Sequence, residues 1–386
     1  MSSYLELLKS GKVNFQGLID KEFPLEKAVE AYGSLSLKPQ PFAVLFKYMT
    51  KHELVDRKKI LTFNIQNKTV SGRIKVALIG VGNFMMSTHI PNLLKLKDLY
   101  EIKAVCVDNS VKANEWGKKL GATYACTDYK ELLTKPDIDL FIVGTRHNTH
   151  YEIMMEMLKL NKNVLMEKPL CLNENELNDI VKVLENKNSI PNISGGFNRR
   201  YSPIGLLVKE KLKNRTAPVM INCRINDEYL PPNHWVNTAE GGGRILGNAV
   251  HMFDLFNFFI GNEVLHITAT SIDSDYYSKN DNFSACIKYK DGSVANILYT
   301  TEGNNKLAKE YIEVFCEGKS YIITDFKTLK VLGGLGSIAG KMDKGHLGEL
   351  KAIAKSLKEN YLPAPIADLI QASRVSFEIQ KQVNNK

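Results

Sequence analysis

Residues 163–170 read NVLMEKPL, a short apolar run that ends on Glu167, Lys168 and Pro169. A lysine delivered to the end of a buried strand can do proton chemistry. Burial and a neighbouring cation both disfavour the ammonium, which brings the amine into the range where it can take a proton from a hydroxyl. Glu167 could pair with that lysine or orient a bound amide. A second set of groups stands in GGGRILGNAVHMFD, residues 241–254. Its glycines permit close backbone approach, and a helix is expected from about Ile245, on which Asn248, His251 and Asp254 recur three apart and share a face. His251 is the candidate proton relay, since a neutral imidazole donates or accepts near pH 7; the alternative is a buried, hydrogen-bonded histidine with no chemical task.

Gly80-Val81-Gly82-Asn83-Phe84-Met85 follows the apolar run KVALI. Two glycines let a strand turn sharply into a helix whose first amides can hold a pyrophosphate. Met85 stands where a third glycine is usual. Asp108 ends the next run, VCVD, where a carboxylate can accept hydrogen bonds from an adenosine ribose; with no arginine beside it, NAD is expected and NADP less so. The alternative for Asp108 is the N-cap of a helix starting at Val111. Thr145, Arg146, His147 and His150 lie at or just beyond the end of the apolar run LFIVGT, near the expected cofactor. With Gly80, Gly82, Asn83, Phe84, Asp108 and Glu167 they form the candidate cofactor set. His147 and His150 lack a nearby third ligand, so no metal is expected.

The elements that must place these groups follow from hydrophobic patterning. From Arg73 to about Phe197, apolar runs (KVALIG, IKAVCVD, LFIVGT, NVLM) alternate with helical segments, which predicts a parallel sheet with helices on both faces. From about Ala217, strands follow in series (VMINCRI, VLHITATSI, FSACIKYK, SVANILYTT, YIEVFCEG, SYIITDF), which predicts an antiparallel sheet, closed by helices near His346–Glu359 and Ile366–Gln382. Residues 1–73 offer a helical pattern at Tyr4–Lys9, a helix from Pro24 at its first position, a strand at Phe42–Tyr48, and a polar linker over Leu61–Arg73. The 386 residues are 44% hydrophobic and 24% charged, enough for one large core or two ordinary ones. No apolar run reaches the roughly 18 residues of a membrane span. Six scattered cysteines fit free thiols, and with no export signal at the N-terminus a cytoplasmic location is expected. A net charge of +9 is spread rather than clustered, so no nucleic-acid partner is expected.

Five stretches in order, IGVGNF, VGTRHNTH, MEKP, FNRRYSP and GGGRILGNAVHMFD, resemble the glucose–fructose oxidoreductase and inositol dehydrogenase family. The resemblance implies an α/β protein with an N-terminal Rossmann domain over 74–197 and a C-terminal α+β domain of open, mostly antiparallel sheet over 198–386. A sugar would lie between them, with hydride exchanged with NAD and Lys168 and His251 as catalytic residues. It makes Arg199, Arg200 and Tyr201 a substrate-lining segment, with Asn248, and Trp235 could stack on a sugar ring; the equal alternatives are Trp235 as core packing and one of the arginines as a salt-bridge partner. Many members carry an aspartate four residues before the histidine, where this chain has Gly247. The TRH triplet, the HW pair of 234–235 and TEGNNKLAKEYIEVF (301–315) resemble a bi-domain branch fused behind a zinc-type alcohol dehydrogenase and found among genes for surface polysaccharides. Residues 5–48 look like the tail of such a dehydrogenase, so 1–73 are expected to be its remnant and linker. A nucleotide-activated or otherwise anionic sugar is the expected substrate, the C-terminal sheet a candidate homo-oligomer surface, and an alcohol-dehydrogenase module a candidate partner. The competing class is a dinucleotide-binding sensor without turnover.

Overall fold

The computed structural model describes residues 10–11, 18–24, 27–47 and 69–384, which belong to two compact units, Met1–Leu61 and Thr62–Lys386. In the first unit, β1 (Lys21–Pro24) pairs in parallel with β2 (Val44–Lys47), and a helix over Ala28–Ser34 connects them. Pro24 therefore ends a strand instead of opening the helix. Its missing amide is tolerated on a two-stranded sheet, where one side of each strand is an edge. The expected helix at Tyr4–Lys9 and most of the expected linker lie outside the described residues.

The second unit opens with a six-stranded parallel sheet: β3 (Ile74–Ile79), β4 (Tyr100–Cys106), β5 (Tyr124–Cys126), β6 (Leu140–Val143), β7 (Val164–Met166) and β8 (Ile193–Gly195), in the order β5-β4-β3-β6-β7-β8. Val76, Ala77, Leu78 and all of β6 and β7 are buried, as continuous apolar runs in a sheet covered on both faces must be. Strand order reverses beside β3, which has β4 on one side and β6 on the other. A crevice therefore opens at the carboxyl ends of β3 and β6, beside Gly80 and Thr145.

The second sheet has eight strands: β9 (Met220–Asn226), β10 (Val264–Ser271), β11 (Phe283–Tyr289), β12 (Val294–Thr300), β13 (Glu310–Cys316), β14 (Lys319–Thr324), β15 (Thr328–Leu332) and β16 (Ile338–Ala339), ordered β10-β11-β12-β9-β13-β14-β15-β16. Every pairing is antiparallel except β12 with β9. The alternating burial of β11 and β13 shows one covered face, packed beneath helices that include Val250–Ile260 and Ile366–Asn384.

The helix His346–Glu359 does not stay with this sheet. Its Leu350, Ile353, Ala354 and Leu357 form an apolar stripe inside the core of the first sheet, with Ile74, Leu78 and Leu165, and the Tyr100 hydroxyl donates to the Leu350 carbonyl at 2.6 Å. Val70, in the stretch read as linker, packs on the same core and donates its amide to the Leu357 carbonyl at 3.2 Å.

Candidate active site

The first strand-to-helix turn has the conformation its glycines allow. Gly80 sits at φ +80°, where only glycine is unstrained, and a Cβ there would come within 2.7 Å of the Thr145 side chain. At Gly82 a Cβ would meet nothing within 4 Å, which leaves the turn open on that side for a phosphate. The helix begins directly after Gly82, its amides unsatisfied toward the cleft, and its first full turn at Met85–His89 is a π turn leading into Ile90–Lys95. Across the cleft, the cap of the helix Ser110–Leu120 is Asn109, whose side chain accepts from the Lys112 amide at 3.0 Å. Asp108, one residue earlier, is thus relieved of capping and stands exposed at the cleft rim. These features fit a dinucleotide: a phosphate cradle with no Cβ, a helix N-terminus and an exposed carboxylate after the neighbouring strand, lining the same cleft.

One cleft of ≈ 850 Å³ gathers the whole candidate cofactor set: Gly80, Gly82, Asn83, Phe84, Asp108, Thr145, Arg146, His147, His150 and Glu167 all line it, together with Lys168 and Trp235. Sequence reading missed Lys112, Trp116, Thr127 and Tyr129, which line its outer end. Thr127 directly follows β5, so the strand-end rule would have found it.

At the inner end, the residues after β7 are fixed from three sides. Glu167 is buried over Gly196, where a Cβ would come within 2.6 Å of its carboxylate, and it bonds His89 Nε2 at 2.7 Å. Burial alone would raise its pKa, but His89 and Lys168 outweigh burial and hold the carboxyl below its usual range. Glu167 is therefore committed to His89. His150 is fully buried, and its Nδ1 lies 2.7 Å from the Pro169 carbonyl, so its ring holds the turn that follows Lys168 while its edge reaches the cleft. Lys168 itself extends across to donate from Nζ to the Gly247 carbonyl at 2.9 Å. Burial, and then the charges of Arg199 and Lys309, lower its pKa below the ordinary lysine value despite Glu167. An amine so depressed can take a proton.

The Asn248–His251–Asp254 row does not act as one face. Ile245–Ala249 forms a π turn before the α-helix, and the three side chains diverge. Asn248 donates to the Asp227 carboxylate and to the Tyr299 hydroxyl at 2.8 Å. Asp227, at the end of β9, also meets Lys309 and Arg244, each at 2.5 Å. Burial opposes its charge, but Lys309 and Arg244 hold the carboxyl down at about 2. A carboxylate is thus present beside Asn248, supplied by a distant strand that gave no local signal. His251 is buried, its Nδ1 has no partner, and burial together with Arg199 and Lys168 keeps it neutral, well below the usual imidazole value. It lies behind Lys168 and not on the cofactor cleft.

Within the arginine segment, Arg200 takes the salt-bridge alternative. Arg200, expected to meet substrate, spends its guanidinium on Asp254 (2.5 and 2.9 Å) and Asp368 (3.1 Å) while 3% exposed. Tyr201 lies in a small separate recess beside Arg200 and Asp254, under Gly348. Arg200 thereby locks the helix Val250–Ile260 in place, because a buried guanidinium needs carboxylate partners. Arg199 pairs with Glu310 at 2.5 Å, and Lys344 reaches the same oxygen at 3.2 Å. Trp235 lies under the Arg146 guanidinium at 4.2 Å, so its indole face is engaged there. Among the described residues no group of three or more His, Cys, Asp or Glu is placed to hold a metal, and no helix is long and apolar enough to cross a membrane.

A sequence model for the oxidoreductase family with an NAD-binding Rossmann fold matches residues 74–193, and one for the C-terminal domain of the same family matches 216–322, together more than half of the chain. A myo-inositol 2-dehydrogenase of Thermotoga maritima is 28% identical over 313 residues, covering 75% of this chain and 90% of that protein. Among solved structures, a levoglucosan dehydrogenase in complex with NADH and levoglucosan superposes with a TM-score of 0.71 at 17% identity, covering 81% of this chain and 98% of the other. A UDP-N-acetylglucosamine 3-dehydrogenase of Acidithiobacillus ferrooxidans superposes with a TM-score of 0.68 at 15% identity, again over 81% and 98%. At these identities the structural likenesses are likenesses of fold.

Proposed function

The chain belongs to the oxidoreductase family with an NAD-binding Rossmann fold, the glucose–fructose oxidoreductase and inositol dehydrogenase group, and from that premise we propose how its site works and on what. The protein is an NAD(P)-dependent oxidoreductase acting on CH–OH groups of sugars or sugar alcohols. We read Lys168 as the group that takes the proton from the reacting hydroxyl, His251 as the neutral imidazole behind it, and Asp108 as the ribose ligand that favours NAD over NADP. The nicotinamide ring, when bound, exchanges the hydride. The observation that carries this reading is Lys168 Nζ held 2.9 Å from the Gly247 carbonyl at the inner end of the cofactor cleft, with its pKa lowered by burial.

For the substrate we propose a nucleotide-activated or otherwise anionic sugar of the surface-polysaccharide type. Lys309 supports it, since its partly exposed ammonium places positive charge close enough to depress Lys168, and so does the fold shared with a UDP-N-acetylglucosamine 3-dehydrogenase, whereas Arg199 is committed to Glu310. The myo-inositol 2-dehydrogenase relative supports a free polyol instead. For residues 1–68 we keep the reading of an alcohol-dehydrogenase tail and linker whose partner is such a module, the linker ending before Val70, which packs on the core, and for the second sheet that of a homo-oligomer surface. The deciding experiment follows NADH formation with purified protein, NAD or NADP, and a panel of UDP-N-acetylglucosamine, UDP-glucuronate, myo-inositol and levoglucosan. Turnover of the nucleotide sugars with NAD is expected; turnover confined to the uncharged compounds overturns the substrate proposal, and no turnover of any overturns the proton roles.

A further inference from the structure

The two ring nitrogens of His147 have different surroundings. Nδ1 lies 2.8 Å from the Gly241 carbonyl oxygen, which can only accept, so Nδ1 carries the proton and Nε2 keeps a bare lone pair. Among the described residues Nε2 has no hydrogen-bond partner. Burial, and then the charge of Lys168, hold the imidazole down at about 3, so Nε2 remains an acceptor throughout the working range.

The ring is also placed with little freedom. The Asn148 amide binds the Glu240 carbonyl at 3.1 Å, joining this loop to residues 235–243. The Trp235 ring meets the imidazole edge-on at 4.8 Å between centroids. Gly247 also adjoins the ring: a Cβ there would lie 3.0 Å from His147 Cε1, so a side chain at 247 would require the imidazole to give by a few tenths of an ångström. The carbonyl of that same glycine receives Lys168 Nζ at 2.9 Å. One glycine is thus flanked by the amine and by the imidazole, and both side chains line the inner cleft.

We infer that His147 is a substrate-binding residue whose Nε2 accepts a hydrogen bond from the hydroxyl next to the one that reacts at Lys168. The substrate is then a vicinal diol within a sugar or cyclitol ring: one hydroxyl gives its proton to Lys168 and its neighbour donates to His147. This rests on the oxidoreductase reading above and moves His147 from the cofactor set to the substrate. Glycine at 247 is explained by the room the imidazole needs.

Asparagine and glutamine separate the two nitrogens, since the Asn amide falls near Nδ1 and the Gln amide near Nε2. The probes are myo-inositol and UDP-glucose, both vicinal diols, assayed with NAD, with NADH binding titrated in parallel by its fluorescence. His147→Asn is expected to keep the Gly241 bond and NADH affinity within about twofold but to raise KM for the responding probe about tenfold, the worth of one hydrogen bond. His147→Gln should stay within about threefold of wild-type KM. Gly247→Ala, whose methyl asks the ring to give by a few tenths of an ångström, should raise KM in the same direction but by less than His147→Asn. Wild-type-like KM in His147→Asn with loss in His147→Gln overturns the inference and leaves the ring a clasp. A rise in NADH Kd equal to the rise in KM overturns it in favour of a cofactor contact. Silence of wild-type protein toward both probes, which no His147 variant can cause, overturns the diol substrate itself.

Discussion

Lys168 and Gly247, 79 residues apart, are joined by a 2.9 Å hydrogen bond from the lysine Nζ to the glycine carbonyl. The bond spans the end of β7 and the π turn that opens the helix over the second sheet, so the amine is aimed before any substrate arrives. A carbonyl aims it without neutralising it, whereas a carboxylate at that point would pull its pKa back up.

Removing that amine should remove the chemistry and spare the cofactor. Lys168→Met is expected to lower kcat by about 10²–10⁴-fold, the usual contribution of a positioned proton acceptor. NADH affinity, measured by fluorescence titration, should change little. Because burial lowers the lysine pKa, the amine fraction grows as pH rises through a value below the ordinary 10.5, so wild-type kcat/KM for oxidation should climb with pH on that limb. A pH profile of residual activity in Lys168→Met that keeps the same limb would assign the proton to another group.

The two glycines of the first turn should separate stability from binding. Gly80→Ala forces a residue at φ +80° and brings a Cβ to 2.7 Å from Thr145, so both Tm and NADH affinity should fall, with a stability loss of about 1–3 kcal/mol. Gly82→Ala meets no protein atom within 4 Å, so Tm should hold while NADH affinity drops, because the added methyl stands where the phosphate must approach. Thermal melting with and without NADH distinguishes the two.

Asp227 predicts a pH dependence of stability. Its folded-state pKa of about 2 lies below the ordinary 3.8, so its contribution is fully present above about pH 4 and is lost as pH falls toward 2. The shift corresponds to about 2 kcal/mol. Urea unfolding of wild type and Asp227→Asn should show a stability gap that narrows by about that amount between pH 5 and pH 2. A gap independent of pH would mean that Lys309 and Arg244 do not hold the carboxylate as the structure places them.

Deletion of residues 1–61 is expected to leave NADH affinity unchanged, because every cleft residue lies in the unit from Thr62 onward. Deleting residues 1–72 also removes Val70 and its bond to the Leu357 carbonyl, so Tm should fall by an amount equivalent to about 1 kcal/mol or more. Equal melting of the two truncations would place Val70 outside the fold.

The cofactor end of the site was readable because its signals are local. A glycine turn after an apolar run, a carboxylate at the end of the next strand and polar residues at strand ends each depend on a few neighbouring residues and on the rule that parallel sheets bind at their carboxyl edge. Patterning also located the helix His346–Glu359, since its apolar stripe has helical spacing, but an apolar stripe does not state which core it enters. Local pattern allows Asp108 to be either a ribose ligand or a helix cap, and the cap position is taken by Asn109, which accepts the Lys112 amide.

By itself, then, the sequence determined that there would be a parallel sheet, a dinucleotide turn, a lysine at a strand end and a second sheet of strands in series. Tertiary structure decided which polar groups were free to act. Arg200 and Asp254 are 54 residues apart, Asn248 and Asp227 are 21 apart, and His147 and Gly241 are 94 apart. Each pair forms because a charge or polar hydrogen buried at one place must find its partner wherever the fold brings one, and that demand leaves no periodicity in the chain. It took Arg200 away from the substrate and turned His147 so that one nitrogen is spent and the other faces the cleft.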